Sequence, residues 1–102
     1  MNKLSSLLIA MSLIATAGVA QARDLGPDEA LKLRDAGTIQ DFEKLNAAAL
    51  AKHPGGKIED TELEHQHGRY VYQVELRDAQ GVQWDVELDA SNGQVLQEHR
   101  DD

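Results

Sequence analysis

The histidines are the residues of this chain most suited to chemistry, and they offer only a weak metal site. His65 and His67 are separated by Gln66, so on a strand they would place two imidazoles on the same side. Zinc normally takes three or four protein ligands, and the strand pattern does not bring His53 or His99 near the pair. No cysteine is available to complete a set. We therefore predict no cofactor and keep His65 and His67 as weak candidates for metal binding.

Catalytic constellations are also missing from the sequence. Ser91 is the only serine after residue 22; it lies in a turn-forming stretch, without the Gly-x-Ser-x-Gly pattern of a nucleophile elbow. There is no glycine-rich phosphate loop. Carboxylates are abundant, but on an open sheet face we expect them to stay solvated, with ordinary acidities and no pocket. These observations predict that the protein is not an enzyme.

The acidic residues lie on a predicted β-meander. Residues 70–77 and 82–89 alternate between apolar and polar side chains, which is typical of strands with one buried face and one wet face. Gly81 suits a type I turn with a bulge, and that turn pairs Leu76 with Trp84. Apolar side chains then meet apolar side chains along both strands, so the turn and the register agree.

Two further hairpins follow from the same reasoning. A turn ending at Gly93 predicts that Leu88 lies opposite Leu96, which assigns Leu96 to the core. A two-residue loop at residues 67–68 pairs Leu63 with Tyr72. Ile58 is then out of phase with Leu63, which predicts a bulge between them.

The predicted register also collects acids on the wet face. Glu75 falls opposite Asp85 and Glu87 opposite Gln73, while the first strand can add further acids. Like charges directly opposite each other destabilise a sheet by about 0.2–1 kcal/mol. Solubility, protection against edge-to-edge aggregation, and docking of a basic partner or of cations are all open explanations. The candidate partner-binding residues are Glu62, Glu64, Glu75, Asp85 and Glu87.

Two helices are predicted ahead of the sheet. Pro27 suits a first helical position, and Gly37 ends a helix over residues 27–36. Thr38 and Asp41 form a capping-box-like pair for a second helix, which ends before the Pro-Gly-Gly run at residues 54–56. The predicted fold class is α+β, with one or two N-terminal helices packed on one face of an antiparallel meander of three to four strands.

The first 22 residues have the pattern of a cleaved signal peptide. Lys3 precedes an uncharged apolar run, and a small-x-small site predicts cleavage between Ala22 and Arg23; a retained anchor is the alternative. Residues 23–102 would then form a single domain with its core at about residues 27–98, located in the periplasm or secreted. No later stretch is apolar enough to span a membrane, and there is no cysteine for a lipid anchor or disulfide.

The charge balance limits the possible partners. The chain has 18 Asp and Glu against 10 Lys and Arg, a net charge of −8. Such a surface repels nucleic acid and anionic membranes and favours basic proteins or cations.

Several stretches together resemble the PepSY family. They are PGGKI at residues 54–58, GRYVYQVE at 68–75, GVQWDV at 81–86 and LDASNGQVL at 88–96. The order and spacing agree over residues 24–98, although Gln73 stands where relatives often carry Glu. The resemblance implies a helix packed on an antiparallel sheet and no catalytic residues. It also implies a link to proteases, because PepSY domains occur in the propeptides of thermolysin-like metalloproteases, which they inhibit and help to fold.

Two functional hypotheses follow. The first is an exported PepSY protein that acts as a non-catalytic binding module, inhibiting or regulating a protease or another envelope protein. The second is a periplasmic protein that binds metals or other cations, or an accessory to envelope signalling. The first depends on the resemblance and the acidic sheet face, and the second on the acidic cluster or the histidine pair.

Overall fold

A computed structural model describes residues 22–101 of the protein. Seven elements follow one another along this part of the chain. They are β1 (Ala22–Asp24), α1 (Pro27–Asp35), α2 (Phe42–Ala51), β2 (Lys57–Gln66), β3 (Arg69–Arg77), β4 (Gln83–Asp89) and β5 (Val95–Arg100). The predicted signal peptide lies outside the described residues, except for Ala22, which begins β1.

The strands form one antiparallel sheet in the order β1-β2-β3-β4-β5, and α2 packs on one face of it. This confirms the predicted α+β class, with five strands where three to four were expected. Apolar side chains from α2 and from alternate positions of β2, β3 and β4 make the core. Its largest fully buried members are Leu45, Leu76, Leu88, Val74 and Val86.

The hairpin between β3 and β4 has the predicted register, with Leu76 opposite Trp84. Asp78 closes its turn: the Asp78 N–H donates to the carbonyl of Val82 at 2.8 Å, and its Oδ1 accepts the Val82 N–H at 2.8 Å. Oδ2 accepts the indole N–H of Trp84 at 3.0 Å, and Gly81 adopts a φ of 87°, which favours glycine. Turn chemistry thus fixes which side chains share a face.

The hairpin between β2 and β3 also matches its prediction. His67 and Gly68 form the two-residue turn with φ values of 50° and 76°, as a type I′ turn requires. Leu63 lies opposite Tyr72, and the register shifts between Ile58 and Asp60, where the bulge was expected.

The prediction for Leu96 is wrong. Leu88 lies opposite Val95 rather than Leu96, and the register shifts before Glu87 pairs with Gln97. Leu96 is the extra residue at this shift and stays 39% exposed, while Val95 packs against the core. The cause lies in the turn, because Ala90 turns inward and donates its N–H to the carbonyl of Tyr70 at 2.9 Å instead of pairing with β5.

The second helix begins later than predicted. Asp41 is its N-cap, and Thr38 lies in the connection from α1, where its N–H donates to the carbonyl of Leu33 at 2.9 Å. The N–H of Gln40 donates to the carbonyl of Ala90 at 2.9 Å, and Ile39 is buried at 3% exposure. These contacts hold the connection against the sheet in a non-helical path, so the capping-box prediction is wrong.

Strand β1 was not predicted. It has three residues, pairs with the end of β2 at residues 64–66, and is too short to show an alternating pattern.

Tyr72 links the helix layer to the sheet through one buried hydrogen bond. Its hydroxyl donates to Oδ1 of Asn46 at 2.7 Å, and the residue is 4% exposed. We expect Tyr72→Phe to lower the free energy of unfolding by about 1 kcal/mol, because a partly buried amide oxygen loses its donor. Urea denaturation measures the change. Tyr70→Phe is the control, since its hydroxyl has no hydrogen bond within residues 22–101; an equal loss there would contradict the account.

Candidate functional site

The face of the sheet opposite α2, here called the outer face, is the candidate site. Period-two alternation places the polar residues of β2, β3 and β4 on it, and His99 joins from β5. A shallow concavity of about 330 Å³ lies at its centre. The polar residues that line the concavity are Asp60, Thr61, Glu62, Gln73, Glu75, Asp85, Glu87 and His99.

The outer face contains two rows of opposed polar groups. In one row Glu75 lies between Asp60 of β2 and Asp85 of β4. In the next, Gln73 lies between Glu62 and Glu87. In the row after that, Glu64 lies opposite Val71. All five predicted partner-binding residues therefore lie on this one face: Glu62, Glu64, Glu75, Asp85 and Glu87.

Amide side chains shield one of these acids. Oε1 of Glu64 accepts a hydrogen bond from Gln73 Nε2 at 3.1 Å and another from Gln66 Nε2. Gln73 therefore donates to a neighbouring carboxylate. An acid at that position would add one more opposed like charge.

Cationic groups near the face are few and mostly solvated. His99 Nε2 lies 3.6 Å from Asp85 Oδ2, and Arg77 Nε lies 3.1 Å from Glu59 Oε2. The side chains of both pairs are 36–52% exposed, so each pair contributes little to stability. The outer face keeps an excess of negative charge.

The acidities on this face differ from the sequence expectation of ordinary values. Partial desolvation raises the pKa of the Glu75 carboxyl, and the charges of Asp85, Asp60 and Asp101 raise it further. Desolvation also raises the pKa of Glu64; Asp24 acts in the same direction, against the hydrogen bond from Gln66. In both groups desolvation is the largest cause of the raised pKa, and neighbouring carboxylates add to it.

Two groups of three carboxylates come within 4.8 Å of one another, oxygen to oxygen. One consists of Glu75, Asp85 and Asp101, and the other of Asp24, Glu62 and Glu64. Sequence reasoning missed Asp24 and Asp101. Asp24 reaches its group only through the unpredicted strand β1. Asp101 is held near its group by a hydrogen bond from its N–H to the carbonyl of Gln83 at 2.9 Å. Carboxylate oxygens are ligands of hard cations, but these groups are exposed or half-buried.

The two candidate metal-binding histidines are not brought together with further ligands. His65 lies on β2 with its ring 4.8 Å from the ring of Tyr70, centroid to centroid. His67 lies in the predicted two-residue turn with Gly68 and is exposed. Within residues 22–101, neither histidine belongs to a group of three close potential ligands.

The shifted pKa values of four carboxyl groups lead us to expect maximal stability in mildly acidic solution. Because the folded-state pKa values of Glu75 and Glu64 are raised, their contribution is present below the ordinary carboxyl pKa and is lost as pH rises through the folded values. Asp78, held by Trp84, and Asp89, held by Ser91, have lowered pKa values, so their contributions are lost as pH falls through them. We expect stability to rise as pH falls from 7 toward the ordinary Glu pKa of 4.5, and to fall again as pH drops below the ordinary Asp pKa of 3.8.

Glu75→Gln is the variant that checks this pH dependence. It is expected to raise the thermal midpoint at pH 7 and to reduce the gain in stability as pH falls toward the ordinary Glu pKa of 4.5, because the desolvated and opposed charge is gone. Thermal unfolding followed by circular dichroism measures both effects. Glu43→Gln, on the exposed surface of α2, is the matched control and should leave the profile unchanged. A midpoint at pH 7 that falls in Glu75→Gln would contradict the electrostatic interpretation.

The part of the chain that forms the outer face also matches a known protein family. Residues 40–99 match the model of PepSY, described as the peptidase propeptide and YPEB domain. The chain belongs to the PepSY family. The match runs from the N-cap region of α2 through β5 and includes all five predicted site residues, while β1 and α1 precede it.

One curated relative of this PepSY protein is the uncharacterized protein YkoJ of Bacillus subtilis strain 168. The two are 29% identical over 51 residues, which is 50% of this chain and 30% of YkoJ. The chain therefore aligns with less than a third of that relative's length. No solved structure matches. Neither α1 nor α2 has the length and apolar character needed to cross a membrane.

Proposed function

We propose that this PepSY protein is an exported, non-catalytic module that binds a separate envelope or secreted protein, such as a protease, and regulates it. The observation that carries the proposal is the outer face, where Glu75 is flanked by acids on both neighbouring strands. The family description, which names peptidase propeptides, supports the choice of a protease as the partner.

Repulsion between carboxylates within the outer face favours binding of a basic partner. Opposed carboxylates destabilise the free protein, and the charges of Asp85 and Asp60 add to desolvation in raising the pKa of Glu75. Lysine or arginine side chains of a partner would relieve this repulsion on contact and so add to the binding free energy. The sheet backbone fixes the carboxylates before the partner arrives, so little ordering is needed when it binds. The concavity of about 330 Å³ is shallow, which suits a protein surface better than a small substrate.

Capture from the organism's own envelope and secreted fractions tests the proposal. Immobilised protein lacking residues 1–22 is expected to retain a basic partner at about 0.05 M salt and to release it at about 0.5 M, where screening is strong. Purified protein should then slow the secreted protease activity in the same fractions. Failure to retain any protein at low salt, together with unchanged protease activity, would contradict the proposal.

Cation binding is the second candidate, and the group formed by Glu75, Asp85 and Asp101 is the observation that favours it. Ligand binding to the folded state raises the thermal midpoint by mass action. The cation hypothesis therefore expects a higher midpoint in millimolar Ca²⁺ or, through His65 and His67, in micromolar Zn²⁺. A midpoint that stays the same in both would reject it and leave the protein-binding proposal standing.

Export and processing belong to the same proposal. Cleavage after Ala22 would leave a single domain of residues 23–102 in the periplasm or outside the cell. Arg23 and Asp24 would still pair with β2, and Arg23 Nη1 would keep its contact with Glu29 Oε1 at 3.3 Å. Mass spectrometry of the protein isolated from the envelope fraction is expected to give Arg23 as the first residue. A protein that keeps Met1 in that fraction would contradict the cleavage prediction.

A further inference from the structure

One edge of the sheet is only partly covered. Strand β1 pairs with β2 at residues 64–66, and the Leu25 N–H donates to the carbonyl of Leu63 at 2.8 Å. The chain then turns into α1 at Pro27. Within the described part of the chain, residues 57–62 of β2 have no backbone partner on this side. We call residues 57–62 the open edge; they lie on the same side of β2 that β1 covers at residues 64–66.

The backbone at Thr61 is directed toward this open edge. The carbonyl of Leu63 points to the β1 side, and strand geometry repeats every two residues, so the N–H and carbonyl of Thr61 point the same way. Thr61 therefore does not use its N–H in the ladder with Val74, which lies opposite it on β3. The bulge between Ile58 and Asp60 limits the regular part of the edge to a few residues.

An apolar groove of about 630 Å³ runs beside the open edge, between α1, the start of α2 and β2. Leu31 is 42% exposed there, and Leu25 and Phe42 are half-buried. The polar end of the groove is formed by Asn46, next to Tyr72. A side chain projecting from a strand added at the open edge, on the helix side, would enter this groove.

The other side of the open edge is acidic. Asp60 and Glu62 project to the outer face, and Asp24 lies at the end of β1 with its carboxylate close to that of Glu62. The whole chain carries a net charge of −8. A strand added here would place its outward side chains alongside these carboxylates, so basic residues are favoured at those positions.

We propose that a short extended segment of the partner protein, with alternating apolar and basic side chains, adds as a strand to the open edge of β2. The inference rests on the proposed function and specifies how the partner is recognised. Main-chain hydrogen bonds to Thr61 supply binding, and the groove and the acids select the alternating pattern. The opposite edge, β5, has exposed His99 and Arg100, so it favours basic side chains in an added strand less than the open edge does.

A synthetic peptide tests this recognition on the wild-type protein lacking residues 1–22. The probe is a fluorescent peptide of about eight residues that alternates valine and lysine, long enough to cover the open edge. Its first control has the same composition in two blocks, and its second is N-methylated at every other amide, which removes strand hydrogen bonds. Fluorescence anisotropy should show that both controls bind at least about tenfold more weakly, a difference of about 1.4 kcal/mol.

Amide chemical shifts locate the bound peptide, and protein variants confirm the location. Shifts are expected at residues 60–63, and Thr61→Pro should weaken binding at least about tenfold, because proline removes the outward N–H while the ladder with β3 stays intact. Asp60→Asn with Glu62→Gln should weaken binding several-fold, whereas Asp35→Asn with Glu43→Gln, an equal charge change on the helices, should not. If Thr61→Pro does not fold, the N-methylated peptide decides the question.

Several results would overturn the inference. They are equal binding of the block or N-methylated peptide, shifts confined to β5, and no binding of the alternating peptide. Concentration-dependent dimerisation abolished by Thr61→Pro would assign the open edge to a second copy of the chain and would also overturn it. Natural partner capture separates the two proposals: equal capture by wild type and Thr61→Pro refutes only the edge inference. No capture by the wild type refutes the proposed function itself.

Discussion

Reversing two charges at the centre of the outer face, with Glu75→Lys and Asp85→Lys together, is expected to weaken partner capture at least about tenfold. Like charges brought together across an interface cost several kcal/mol, and about 1.4 kcal/mol corresponds to a factor of ten. The same variant should change the free energy of unfolding by no more than about 1 kcal/mol, because one opposed like-charge pair at positions 75 and 85 replaces another, while the lysine at position 75 gains Asp60 as an opposite charge. Binding is therefore lost without a matching loss of stability, which separates a contact role from a structural one.

The matched control for charge reversal carries the same change in net charge on the helix layer. Asp35→Lys and Glu43→Lys alter exposed residues of α1 and α2, away from the outer face. This variant should keep partner capture within about twofold of wild type, since the long-range effect of net charge is screened at physiological salt. Titration of immobilised protein with the purified partner measures both variants. Equal losses in the two variants would attribute binding to overall charge rather than to the outer face.

Replacing Leu45 by alanine is expected to have the largest effect on stability. Leu45 has no exposed surface and connects α2 to the sheet core. Large-to-small changes at such sites cost about 2–5 kcal/mol, through lost burial and the cavity that remains. A domain of this size has a total stability of only about 4–12 kcal/mol, so much of it would be lost.

Urea denaturation measures the effect of Leu45→Ala, with Leu31→Ala as its control. Leu31 is 42% exposed on α1, so its truncation should change the free energy of unfolding by no more than about 0.5 kcal/mol. A loss under about 1 kcal/mol in Leu45→Ala would show that α2 is not firmly packed on the sheet.

Sequence reasoning succeeded where local turn chemistry and the apolar pattern gave the same answer. The Asp78 turn and Gly81 fix the β3–β4 register independently of packing, and the alternation of both strands agrees with that register. The turn at His67 and Gly68 works in the same way, and even the bulge near Ile58 followed from the phase of the side chains. Since the outer face is the other side of the same alternation, its acids could also be predicted.

The failures share a different cause, which is contact between parts of the chain distant in sequence. Leu96 lies outside the core because Ala90 donates its N–H to the carbonyl of Tyr70 on β3. The turn is therefore longer than predicted, and Val95 takes the position opposite Leu88. Helix α2 starts later than predicted because the N–H of Gln40, just before the helix, donates to the carbonyl of Ala90 at the end of β4. Neither bond leaves a periodic pattern in the sequence.

The site was incomplete for the same reason. Asp24 joins the acidic cluster through a three-residue strand, which carries no detectable alternation. The raised pKa of Glu75 depends on desolvation and then on the charges of Asp85, Asp60 and Asp101, so it requires the assembled sheet. The open edge of β2 likewise becomes visible only when the short length of β1 is known.

Site-specific photo-crosslinking in living cells tests the central claim most directly, namely that the outer face contacts another protein. A photoreactive residue replaces Gln73, which lies between Glu62 and Glu87 and carries no charge, or Ala47, which is exposed on α2. The account predicts a discrete crosslinked product from position 73 that mass spectrometry identifies as a second protein, and none from position 47. Products from position 47 alone, or from neither position, would contradict it.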